Sequence, residues 1–144
     1  MNTTADQLQT LFNNNFVAYY RSHLAHVNVI GRHFQSDHEL FGEIYRDLQT
    51  EIDTIAELLR TIDEFMPTEI QAVLNLSEIS TGELDGPSEY LLQAVRNDLI
   101  QLKLTHQQLM EVADEEEYDE IENYAQDRIL KLGKFIWKLN SVLD

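Results

Sequence analysis

Imidazole and carboxylate side chains concentrate early in the chain, at His23, His26, His33, Asp37, His38, Asp53 and Glu57. Together these donor types suit divalent iron or zinc. Asp53 and Glu57 are four residues apart, about 6 Å along one face if the segment is helical, a spacing that lets two carboxylates share one ion. Such a pair is more often solvated than ligating, and a histidine on an apolar stripe is more often a hydrogen-bonded core residue. His38 and Asp53 would stand about 22 Å apart on one helix, so they cannot bind one ion within a single subunit.

The elements that must position these groups read as helices nearly throughout. Leu8, Phe12, Phe16, Tyr19, His23, His26 and Ile30 step by three or four residues along one face, with two histidines on the stripe. Gly31 is the expected stop. Ser36 or Asp37 is the expected cap of a second helix whose face carries Leu40, Phe41, Ile44, Leu48, Ile52, Ile55, Leu59 and Ile62, ending before Pro67. Each helix should run about 25 to 30 residues, some 40 Å. Residues 66–89 hold both prolines and read as a long crossover with one short helix around Glu69 to Leu76. A third long helix follows from Ser88 and a fourth from about Glu116 to Leu143. Two helical hairpins joined by one long crossover make an all-α, ferritin-like four-helix bundle with a short extra helix between helices two and three.

At 144 residues the chain fits one domain, residues 1–144, with a core that removes roughly two thirds of the unfolded surface from water. It has no cysteine, which excludes disulfides, thiolate metal sites and cysteine nucleophiles. No apolar run approaches the roughly 20 residues of a membrane span, and residues 1–10 lack the basic and apolar regions of a secretory signal, so the expected compartment is cytoplasmic. Glycine-rich phosphate loops, dinucleotide fingerprints, His-Glu-x-x-His and Gly-x-Ser-x-Gly are all missing. None of the five histidines follows a glutamate by three residues, which argues against the intra-bundle di-iron site built on Glu-x-x-His.

The run His26-Val27-Asn28-Val29-x-Gly31-x-x-Phe34-x-x-x-His38, continued by Phe41, Tyr45, Asp53, Ala56 and Glu57, resembles the signature of the Dps proteins, the DNA-binding proteins from starved cells. The likeness is close over helices one and two and looser in the crossover and at Lys134-Phe135-Ile136-Trp137. It implies a homo-oligomer, a shell of twelve subunits, with ferroxidase centres across two-fold interfaces. One subunit would supply His26 and His38 and its partner Asp53 and Glu57, these four serving as both metal ligands and catalytic residues. The implied activity is oxidation of ferrous iron, preferably by hydrogen peroxide, with storage of the ferric mineral and protection against oxidative damage. Two positions depart from the pattern. Gly42 stands where the family carries Asp or Glu, one turn after the second histidine, and Val27 replaces a tryptophan. Glu43 lies about 100° around the helix from residue 42, which leaves His23 as the nearest candidate substitute. The alternative expectation is a catalytically weak shell that sequesters divalent ions such as zinc.

Residues 111–122 hold eight carboxylates and no basic residue. Acidic side chains here complement the dipole of the last helix, and the resemblance implies that they surround a three-fold channel for entering iron, with Asp119, Glu120 and Asp127 as expected lining. The whole chain carries 26 acidic against 10 basic residues, a net charge of −16, and residues 1–20 contain neither Lys nor Arg. Duplex DNA is bound by clustered cations that displace its counterions, so such a surface repels it. A gel shift at low salt without divalent metal is expected to show no DNA retardation, and a shifted band would overturn that reading.

Overall fold

A computed structural model describes residues 2–144; Met1, the first residue of the expected domain, lies outside the described residues. The described residues form five helices and no strand: α1 (Thr4–Asn28), α2 (Phe34–Thr61), α3 (Ile70–Leu76), α4 (Ser88–Glu115) and α5 (Asp119–Leu143). α1 packs on α2 and α4, α4 on α5, and the short α3 rests on α1. This is the expected bundle of two hairpins joined by a crossover that contains one small helix. Leu8, Leu11, Phe41, Ile44, Leu48, Ile55, Leu59, Leu99, Leu102, Leu109, Ile121, Leu132 and Leu139 are fully buried between them. No helix among the described residues is long and apolar enough to cross a membrane.

Several helix ends depart from expectation, and one of them takes its partner from a distant helix. α1 begins with a capping box in which Thr3 Oγ1 accepts from the Asp6 amide and Asp6 Oδ2 from the Thr3 amide, both at 3.1 Å. A further orphan amide, Thr4 N, donates to Glu116 Oε1 at 2.6 Å, which ties the start of α1 to the end of α4. One carboxylate of the acidic segment is therefore a cap, and hydrogen bonding with Thr4 holds its pKa below the usual range. α2 starts at Phe34 with His33 in the cap position, earlier than the expected caps Ser36 and Asp37. Asp37 is instead a buried first-turn residue, and burial pushes its pKa up. α2 stops at Thr61, six residues short of Pro67, where Asp63 turns left-handed (φ 69°). α5 starts at Asp119 rather than Glu116, after a turn with Glu117 at φ 64°.

The bundle interior is not wholly apolar. Arg128 of α5 grips Asp47 of α2 through two hydrogen bonds, 2.6 and 3.1 Å, and approaches Glu51 at 3.7 Å. Tyr124 donates to Glu51 at 2.5 Å. Beside them His106 is fully buried, and neither ring nitrogen has a partner among the described residues. Burial, reinforced by the Arg128 charge, pushes its pKa down to about 3. An imidazole that stays neutral when folded but binds a proton when unfolded makes stability fall as pH drops from about 6.5 towards 3. Between pH 6 and 4 the wild type should lose up to about 1.4 kcal/mol per pH unit more than His106→Leu, measured by urea unfolding. Parallel pH curves for the two proteins would refute the neutral His106.

Candidate functional site

α1 and α2 are joined by a short turn in which Gly31 takes a positive φ of 116°, folding the end of one helix against the start of the next. The turn brings His26 and His38 together, with parallel rings 3.8 Å apart between centroids. Each imidazole donates from Nδ1 to the other residue's backbone carbonyl, His26 to His38 O and His38 to His26 O, both at 2.7 Å. The carbonyl of His26 belongs to the last turn of α1 and has no continuing helix to bond it, so the His38 ring also caps α1. With both Nδ1 atoms engaged as donors, each Nε2 keeps its lone pair for a metal. Burial holds the His26 pKa below the ordinary histidine value against the opposing pull of its backbone hydrogen bond, and the charges of His38, Arg46 and His23 act in the same direction as burial. The neutral, ligating form is thereby favoured.

Aromatic rings wall this pair. Phe34 stacks on His38 at 4.9 Å, and Tyr45 lies 5.0 Å from His26. His23 stacks on Tyr45 at 4.1 Å, its Nδ1 lies 3.3 Å from the Tyr19 hydroxyl, and its centroid is 6.4 Å from His26. Glu43 is exposed and turned to Lys138 of α5, 3.4 Å away. His33 is an exposed cap residue.

Gly42 is packed beneath the His26 ring. A Cβ at this position would lie 3.1 Å from His26 Cε1 and Nδ1 and 3.0 Å from Arg46 Nη1. Arg46, which the sequence pattern does not single out, therefore folds its guanidinium back over the glycine and beside Tyr45, 5.2 Å from that ring's centre. The signal for it was the four-residue spacing from Gly42, which puts both on one face with the long side chain tilted towards the helix N-terminus.

The other two expected ligands are not brought to the histidines. Asp53 and Glu57 are exposed, one turn apart on the continuous helix α2, whose rise puts Asp53 about 22 Å from His38. Neither makes an ion pair among the described residues, and within one chain no three His, Asp or Glu side chains there converge as a metal group. Asp119, Glu120 and Asp127 are likewise exposed on the first turns of α5. Exposed apolar side chains flank both halves of the candidate site: Val27 and Ile30 by the histidines, Phe65 and Met66 beyond the carboxylate end of α2.

Comparison with known proteins matches the ferritin-like domain family over residues 5–144. The DNA protection during starvation protein of Brevibacillus brevis is 28% identical over 149 residues, spanning all of both chains. The crystal structure of a Dps protein from Bacillus brevis superimposes with a TM-score of 0.93 at 27% identity, covering all of both chains. That of the Vibrio cholerae Dps protein, described as a member of a broad superfamily of ferritin-like diiron-carboxylate proteins, gives 0.92 at 26% identity, covering 98% of this chain and 89% of that one. With its helix order, its paired histidines and these matches over its full length, the chain belongs to the ferritin-like family as one of the Dps proteins.

Proposed function

We propose that this protein is a ferroxidase and iron-storage subunit whose metal centre forms between two copies of the chain, in a homo-oligomeric shell expected to be a dodecamer. The observation that carries this reading is the split donor set: two clasped imidazoles with free Nε2 atoms at one end of α2, and two unpaired carboxylates one turn apart towards the other. A two-fold axis crossing α2 brings the histidine end of one copy to the carboxylate end of the next, and repeats the contact reciprocally. The exposed Val27, Ile30, Phe65 and Met66 give such an interface apolar area at both ends. His26 and His38 then meet Asp53 and Glu57 of a second copy, a mixed nitrogen and oxygen set that suits ferrous iron and accommodates zinc.

Iron here is substrate. Two ferrous ions each yield one electron to hydrogen peroxide, which takes up two protons and leaves as two waters while the ions become ferric. Consuming one peroxide for every two ferrous ions removes both reagents from which hydroxyl radical forms. The imidazoles bind and orient the ion, the carboxylates neutralise its charge, and exposed carboxylates elsewhere supply sites where ferric oxide can nucleate. A second reading, a catalytically weak shell that sequesters divalent metal such as zinc, is favoured by Gly42, which offers no side chain to the metal. The net charge of −16 per chain supports the further reading that such a shell does not bind DNA.

Under anaerobic conditions with stoichiometric peroxide, His26→Ala and Asp53→Ala should each abolish rapid ferrous oxidation, followed by ferric absorbance. Co-refolding the two variants should restore about a quarter of the activity, because half of randomly paired dimers are mixed and each mixed dimer regains one intact centre. No recovery would refute a shared centre. Wild-type oxidation no faster than in buffer would favour the sequestering shell. Neutralising Asp119, Glu120 and Asp127 together should slow iron entry without changing the size of the assembly; unchanged uptake would remove them from the channel.

A further inference from the structure

The Gly42 and Arg46 pair adds a fixed positive charge to a site otherwise built to receive cations. Three observations place it there. The guanidinium Nη1 lies 3.0 Å from where a residue-42 Cβ would be, and His26 lies 3.1 Å from the same point, so the two side chains share the space over the glycine. Arg46 Cζ also sits 5.2 Å from the centre of the Tyr45 ring, whose own centre is 5.0 Å from His26. Finally, Arg46 makes no ion pair with any carboxylate among the described residues of its own chain. An arginine stays charged at every pH the protein meets, so the charge is permanent.

Donor count points the same way. Two imidazoles and two carboxylates complete the shell of one tetrahedral zinc ion. A second ion could hold on only by sharing the carboxylates, and it would lie against a guanidinium that repels it and competes for the same oxygens through bidentate hydrogen bonds. We infer that Arg46 takes the place of a second cation, so that each inter-subunit centre of this protein holds a single divalent ion. Gly42 is the permissive half of the device, since a Cβ there would press on the guanidinium and the His26 ring at 3.0 and 3.1 Å.

This inference rests on the shared centre proposed above, and the test separates the two. Zinc, which is redox-inert, is titrated into the assembled protein by anaerobic calorimetry, and centre-bound ions are counted as those lost on His26→Ala. The wild type and Arg46→Lys, which keeps the charge, should each bind one zinc per centre, and Arg46→Gln should bind two. A wild type that binds two, or an Arg46→Gln protein that still binds one, overturns the role of Arg46. If His26→Ala removes no zinc, the shared centre itself fails, and the inference with it. Lysine and glutamine are good helix formers and remove none of the apolar area proposed for the interface, so each variant should assemble, as size-exclusion chromatography would verify.

Discussion

Arg128 and the carboxylates it grips join the two halves of this bundle. Within each hairpin, and between α1 and α4, helices are close enough for apolar side chains to interlock, but α2 and α5 approach less closely. Long polar side chains span that seam: the Arg128 guanidinium reaches Asp47 and Glu51, and the Tyr124 hydroxyl reaches Glu51. Burying two carboxylates and one guanidinium carries a desolvation cost that only close geometry offsets, and a one-residue slip of α2 along α5 would leave the charges unmatched. The cluster therefore fixes α2 against α5 and adds to the register that its packing on α1 already sets. That helix carries His38, Gly42, Arg46, Asp53 and Glu57, so the position of the candidate centre depends on this seam.

The same cluster bears on the kind of metal chemistry the bundle can host. An acidic pair inside a four-helix bundle is a natural cation site, but here the cation is the protein's own guanidinium, beside an imidazole that stays neutral. The guanidinium balances one of the two carboxylate charges, and the donors proposed for metal lie outside this cluster. Arg46 and Gly42 repeat the motif at the surface, with a side chain again supplying positive charge next to histidine.

Much of this was legible in the sequence. Four long helices followed from an apolar period of three to four residues, and Ser88 marked the start of α4 correctly. The start of α1 was less legible because Glu116 caps Thr4 across 112 residues, and the starts of α2 and α5 because no side chain caps them. His26 and His38 could be named from the family pattern, but their reciprocal bonds to each other's carbonyls depend on the turn at Gly31. The Arg128 cluster left a trace that only the fold explains: Asp47 and Glu51, and Tyr124 and Arg128, are each four apart on faces that also carry core leucines. Arg46 was hidden because a charged residue one turn after a glycine reads as solvated surface until the ring beside it is known.

The chain's single tryptophan, Trp137, is 65% exposed on α5, away from the packed interior. An indole in water emits at longer wavelength than one in an apolar setting, so intrinsic fluorescence of this protein reports on whatever covers that outer face of α5. Its emission would shift little when an isolated bundle melts and more when subunits meet over it, which makes the native chromophore a gauge of association rather than of folding.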